Sequence, residues 1–107
     1  MISNALLRLA RQAVPMPNES VKEEFERLDA QFFDMVEHNE HELALDMLEE
    51  IGWITQPRGG FWKDLIRAAA NMKLEGRIPR LKAEFDKALA RLKEAEQPTH
   101  GDAEESV

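Results

Sequence analysis

The residues that come nearest to a chemical site are two histidines among carboxylates, in the segment Glu-His-Asn-Glu-His-Glu from Glu37 to Glu42. Imidazole and carboxylate groups bind divalent metal ions, so His38 and His41 are candidates for a metal-dependent helical-bundle enzyme. However, a zincin carries H-E-x-x-H, an inverzincin H-x-x-E-H, and a di-iron bundle Glu-x-x-His on two facing helices. None of these patterns is present, so we expect solvated side chains around a helix turn, with no metal and no cofactor.

No other grouping of side chains has the composition of an active site. The chain contains no cysteine, which excludes thiol catalysis, disulfides and thiolate metal sites. Ser3, Ser20 and Ser106 lie at the termini or at a helix start, without a plausible base nearby in sequence. The pair Gly59 and Gly60 is not a phosphate loop, because a Walker motif requires G-x-x-x-x-G-K-[ST] after a strand. We therefore expect a protein that is not an enzyme.

Length and charge restrict the remaining classes of function. A chain of 107 residues has room for one domain with one core. Its net charge of −7 disfavours nucleic acid and anionic membranes as partners, since both attract Lys and Arg. No apolar run reaches the roughly 18 residues of a membrane span, and the first residues do not resemble a signal peptide. These features predict a cytoplasmic protein that binds another macromolecule. A basic protein is a suitable partner for a chain of this charge.

Apolar residues recur at steps of three and four, which predicts an all-α fold, a compact bundle of about five helices without strands. The first helix covers about residues 2–14 and the second about 20–38, starting with a capping box of Ser20 and Glu23. Asn39 is expected to adopt a left-handed conformation and lead into a third helix over about residues 40–54.

The segment Thr55 to Gly60 is predicted to be a break before the fourth helix, which Gly76 caps, and Pro79 lies in the first turn of the fifth. Residues 97–107 lack an apolar stripe and are expected to be a disordered acidic tail of the domain at residues 1–96.

Each of the five helices is predicted to have an inward-facing stripe of apolar residues. In order from the first helix to the fifth, these residues are Ile2, Leu6, Leu9 and Ala13; Val21, Phe25, Leu28, Phe32, Met35 and Val36; Leu43, Ala44, Met47, Leu48, Ile51 and Ile54; Phe61, Leu65, Ala68, Ala69 and Met72; and Leu81, Phe85, Ala88, Leu89 and Leu92.

Acidic residues are concentrated in one part of the chain. Between Arg27 and Arg58 there is no Lys or Arg, whereas eight acidic residues lie in this window. The rest of the chain carries 13 acidic and 14 basic residues, so the net charge belongs to the second and third helices. The candidate partner-binding residues are Asp34, Glu37, Glu40, Glu42, Asp46, Glu49, Glu50 and Trp53.

At 100° per residue, the third helix has an apolar side and an acidic side. Like charges such as Asp46 and Glu50 oppose the helix by a few tenths of a kcal/mol each, and no cation within the helix relieves them. Trp53 projects among the carboxylates if the helix continues through Ile54. If the helix ends at Gly52, the indole can instead fold under the next loop and join the core. We interpret the acidic side as a binding surface; the alternative is a solubilising face.

The segment from Phe32 to Leu48, FFDMVEHNEHELALDML, resembles the MafI-like small immunity proteins of bacterial polymorphic toxin and contact-dependent growth inhibition systems. In that family an aromatic-acidic helix ends at His, glycine and an acidic residue make the turn, and E-L-A-L-E-x-L opens the next helix. The sequence FWKDL from Phe61, with Ala68 and Ala69 three and four positions after Leu65, is similar to the family's F-W-x-x-L-x-x-A-A. The chain differs in having Asn39 where glycine is usual.

This resemblance implies a cytosolic antitoxin, a monomer that forms a 1:1 complex with a cognate toxin domain, often a nuclease. A dense acidic face suits such a partner, because a nuclease is basic where it binds RNA or DNA. Two alternatives remain open. One is an adaptor or chaperone-like module that binds another protein, and the other is the metal-dependent enzyme using His38 and His41.

Overall fold

Residues 2–96, which the computed structural model describes, consist almost entirely of helices. Residues 1 and 97–107, including the predicted tail, lie outside this range. Short 3-10 turns, Glu19–Val21 and Glu75–Arg77, precede the second and fifth helices. The helices are α1 (Ile2–Gln12), α2 (Lys22–Glu37), α3 (His41–Thr55), α4 (Gly59–Asn71) and α5 (Ile78–Glu96). No strand occurs in the described range, and the predicted all-α bundle of about five helices is confirmed.

The helices pack as two hairpins joined by α1. Helix α2 packs on α3 and helix α4 packs on α5, while α1 contacts both α3 and α4. Short connections favour such antiparallel neighbours, because a chain that turns within a few residues returns along the helix it has left. The largest fully buried side chains are Trp62, Phe32 and Phe61, so the core runs through both hairpins.

Two helix ends show how the chain turns. Asn39 adopts a left-handed conformation with φ of 61°, as predicted, and the Glu40 amide donates to the Met35 carbonyl at 2.8 Å. The prediction that Gly76 caps α4 is wrong. Lys73 takes the left-handed conformation instead, with φ of 63°, and Gly76 lies in the following 3-10 turn.

The start of α2 and the break before α4 also differ from prediction. Ser20 lies inside the first 3-10 turn and no side-chain cap forms at either helix start, so the predicted capping box with Glu23 is absent. Ser20 does not have the extended backbone of an N-cap residue. In that conformation its hydroxyl would accept a hydrogen bond from a backbone amide in the first turn of α2. The break is shorter than predicted, since only residues 56–58 lie outside helices and Gly59 begins α4.

Two helices depart from the predicted stripes, α1 by a rotation of the buried face and α3 at single positions. In α1, Leu7 and Ala10 are buried, whereas Leu9 is 47% exposed. In α3, Ala44, Leu48 and Ile51 are buried as predicted, whereas Leu43 is 45% exposed and Leu45 is buried in addition. Leucine and alanine fill so many positions of both helices that two adjacent stripes fit the spacing, and the contacts of α1 and α3 with other helices decide between them. Further departures are the exposed positions Ala13 and Leu89 and the buried Trp62.

Candidate protein-binding surface

The acidic segment folds into the α2–α3 hairpin, and cations from other parts of the chain neutralise several of its carboxylates. The first is Asp29, whose two oxygens accept hydrogen bonds from the Nε and Nη2 atoms of Arg11 at 2.6 and 2.9 Å. The same guanidinium lies 5.3 Å from the ring centroid of Phe25 and 5.8 Å from that of Phe33. This contact joins α1 to α2 and removes Asp29 from the free acidic surface.

Two carboxylates of α3 share one arginine. Arg77, in the 3-10 turn before α5, donates from Nη2 to Glu42 at 2.8 Å and from Nη1 to Asp46. Part of the repulsion predicted along α3 is therefore relieved, by a cation from outside the helix. The cation comes from 31 residues further along the chain than Asp46, which a search within the helix does not reach.

Glu49 is not on the surface. Its side chain is only 2% exposed, and its two oxygens accept hydrogen bonds from Arg80 at 2.7 and 2.8 Å. The hydrogen bond to Glu49 and then its charge raise the pKa of Arg80 above its ordinary value. The prediction that Glu49 faces a partner with the other acids is wrong, because α3 turns this position toward α5. A buried carboxylate needs such a cation, since its burial unpaired is costly.

Three of the carboxylates that remain free surround the α2–α3 turn. Asp34, Glu37 and Glu40 are exposed and, within residues 2–96, none of them pairs with Lys or Arg. His38 lies among them, and its Nδ1–H donates to the backbone oxygen of Asp34 at 2.8 Å. This hydrogen bond, followed by the charges of Asp34, Glu37 and Glu40, raises the pKa of His38. We call these three carboxylates with His38 the turn cluster.

A second exposed region lies on α3. We call the side of this helix that carries Leu43, Glu50 and Trp53 the outer face of α3. Helix α3 continues through Thr55, whose hydroxyl donates to the Ile51 carbonyl at 2.7 Å, so Trp53 stays outside the core and is 50% exposed. The alternative in which the helix ends at Gly52 is excluded. Leu43 and Trp53 lie ten positions apart, which corresponds to roughly 15 Å along the helix. Two large apolar side chains are thus presented to solvent on the acidic hairpin.

The two histidines do not build a metal site in the described part of the chain. No group of three or more His, Asp or Glu side chains among residues 4–95, whose side chains the structure describes, is arranged to hold a metal ion. The ring of His38 is hydrogen-bonded to the Asp34 backbone, and the Nε2 atom of His41 is buried without a hydrogen-bond partner. The enzyme alternative therefore gains no support from this geometry.

Comparison with known proteins gives no relative from which a role can be taken. No family model matches the chain, and neither a curated protein nor a solved structure matches it. Among the helices of residues 2–96, none combines the length and apolar character required to cross a bilayer. The chemistry of the turn cluster and of the outer face of α3 is what bears on function.

Proposed function

We propose that the protein is a cytoplasmic immunity protein that binds and neutralises a cognate toxin domain, a basic nuclease, in a 1:1 complex. The observation that carries this proposal is the turn cluster, where three exposed carboxylates lie together without a paired Lys or Arg in residues 2–96. The resemblance of residues 32–48 to the MafI-like immunity proteins supports the same role.

Electrostatics explains how such a surface acts on a nuclease. The site that holds the phosphates of RNA or DNA must be basic, so a surface that presents several carboxylates is attracted to it over long range. Once bound, the carboxylates occupy the positions that phosphates need. This attraction raises the association rate and makes it sensitive to salt, because ions screen charges beyond about 10 Å at 0.1 M.

The outer face of α3 supplies apolar contact area, which contributes binding energy that charge alone does not. Exposed carboxylates contribute little net affinity, whereas large side chains that become buried contribute much of the binding energy of an interface. Leu43 and Trp53 are 45% and 50% exposed and are available for this role. We therefore place the interface on the turn cluster and the outer face of α3, and leave out the buried Glu49.

Co-expression with the product of the adjacent upstream reading frame tests the proposal. We expect that product to arrest growth alone, to be harmless with this protein, and to co-purify with it in equal amounts. Raising salt from about 0.05 to 0.5 M should slow association markedly. A toxic product that neither binds nor is neutralised would contradict the antitoxin role. A stable complex with a non-toxic product would favour the adaptor alternative.

A pair of charge reversals locates the surface. Glu37→Lys with Glu40→Lys should reduce the association rate about tenfold or more, since it converts attraction into repulsion at the turn cluster. The control is Asp86→Lys with Glu94→Lys, which changes the net charge equally at exposed positions of α5. Equal effects of the two variants would show that only the net charge of the protein matters.

A further inference from the structure

Trp53 and Glu50 stand beside each other on the outer face of α3. They are separated by three positions, which places their side chains on the same side of the helix about 5 to 6 Å apart at Cβ. The indole is half exposed and Glu50 is partly exposed. From these positions we infer that Trp53 and Glu50 together bind an arginine side chain of the partner, with the guanidinium stacked on the indole and paired with the carboxylate. The inference rests on the proposed function, since it requires a basic partner protein.

The nearby carboxylates of α3 are already occupied, which leaves Glu50 as the free acid next to Trp53. Asp46 is paired with Arg77, and Glu49 is paired with Arg80. Within residues 2–96, Glu50 has no ion pair with Lys or Arg. The described chain therefore provides an aromatic surface and an uncompensated carboxylate together, without a cation of its own to fill them.

The protein binds one of its own arginines in the way we infer for the partner. The guanidinium of Arg11 pairs with Asp29 through two hydrogen bonds and lies near the rings of Phe25 and Phe33. In both places a carboxylate stands beside an aromatic ring. At Arg11 this combination joins two helices of the same chain, whereas at Trp53 the ring faces outward and the guanidinium must come from another molecule.

Arginine fits this position better than lysine. Its planar guanidinium can stack on an indole and still donate hydrogen bonds in its plane to a carboxylate, whereas an ammonium group is a compact, strongly hydrated charge. Tryptophan offers the strongest cation–π surface of the aromatic residues. Leu43, about 15 Å away along α3, can exclude water at the other end of the same contact.

The test is a double-mutant cycle on the complex with the co-expressed partner, measured as equilibrium affinity. Trp53→Ala should weaken binding about 30-fold and Glu50→Gln about fivefold, which are values typical of an anchor residue and a charged neighbour. If one guanidinium contacts both side chains, the double variant should be much less impaired than the product of the two single effects. Glu26→Gln is the control, since it removes an equally negative, exposed carboxylate from α2 and leaves the outer face of α3 unchanged.

Replacing Arg by Lys across the partner's interface gives a second readout, because the charge is kept while the stacking is lost. Binding by wild-type protein should weaken, and binding by Trp53→Ala should change little. Additive effects in the cycle, or equal losses with and without Trp53, would overturn the arginine site. The salt dependence of association and the charge reversals at Glu37 and Glu40 would still test the proposed function independently of the arginine site. If no complex forms, both the function and the inference fail.

Discussion

Gly52 of α3 lies so close to Trp62 of α4 that a Cβ atom added to the glycine would stand 2.6 Å from the indole Cη2 atom. The same Cβ atom would stand 2.6 Å from Cε2 of Phe61. Glycine inside a helix is unfavourable by about 1 kcal/mol relative to alanine. Here the missing side chain of Gly52 permits the two hairpins to meet through bulky aromatic residues. This contact explains why a glycine lies inside α3, although glycine commonly ends a helix.

Replacement of this glycine should weaken the fold despite the gain in helix propensity. We expect Gly52→Ala to lower the free energy of unfolding by about 1 to 3 kcal/mol, because the two fully buried rings have little room to move. Gly60→Ala is the matched control, since a Cβ atom at that position would meet no neighbouring side chain within 4 Å and alanine favours the helix. Urea denaturation measures both. A Gly52→Ala variant as stable as Gly60→Ala would show that α3 and α4 are further apart.

The pair of Arg80 and Glu49 gives a second prediction about stability. Arg80→Ala leaves a carboxylate buried without its partner, which should reduce the free energy of unfolding by about 1 to 3 kcal/mol. Adding Glu49→Leu to this variant should recover part of the loss, because it removes the unpaired charge. Arg27→Ala is the control, since its ion pair with Glu24 joins two exposed side chains. If the double variant is less stable than Arg80→Ala, the carboxylate is not the source of the loss.

The sequence predicts features that depend on neighbours in the chain. The left-handed Asn39, the start of α5 near Pro79 and the inward stripe of α4 each follow from local spacing or backbone preference. The ion pairs of Arg77 and Arg80 cannot be predicted in this way. Each arginine lies 31 positions from an acidic partner, and only the packing of the two hairpins brings them together.

The orientation of α3 shows the same limit. The predicted stripe is right for Ala44, Leu48 and Ile51, which are buried, and wrong for Leu43, which is exposed. That stripe also puts Glu49 on the exposed side, where a lone carboxylate is normally found, and nothing nearby in sequence indicates its partner. The extra signal is present in the sequence as Leu45 and Gly52, which extend the buried face of α3 toward Glu49.

A pair of leucine substitutions tests this orientation of α3. Leu45→Ala should cost about 2 to 5 kcal/mol of stability, because the side chain is fully buried. Leu43→Ala should change stability much less, since its side chain is 45% exposed, and it should weaken partner binding. Thermal unfolding and affinity measurements on the same two proteins separate the effects. If Leu43→Ala destabilises the protein more than Leu45→Ala does, Leu43 faces the core and this orientation of α3 is wrong.

The turn cluster should make binding depend on pH through His38. Its pKa lies above the ordinary value of 6.5, first because of the hydrogen bond to the Asp34 carbonyl and then because of the nearby carboxylates. The stabilisation that accompanies this shift is present below pH 6.5 and is lost as pH rises through the raised pKa. Asp34→Asn should lower the pKa only in part, because the backbone carbonyl remains. Observing the His38 ring protons by NMR from about pH 5.5 to 8.5 checks both statements.

Protonation of His38 also adds a positive charge to the centre of the cluster, so it weakens the field that attracts a basic partner. We therefore expect association to slow as pH falls from about 8 to 5.5, a range in which ordinary carboxylates stay ionised. His38→Gln should remove that part of the dependence and keep the fast rate at low pH, because the side chain no longer titrates. Stopped-flow association at low salt provides the measurement. If wild type and His38→Gln slow equally as pH falls, the titrating group belongs to the partner.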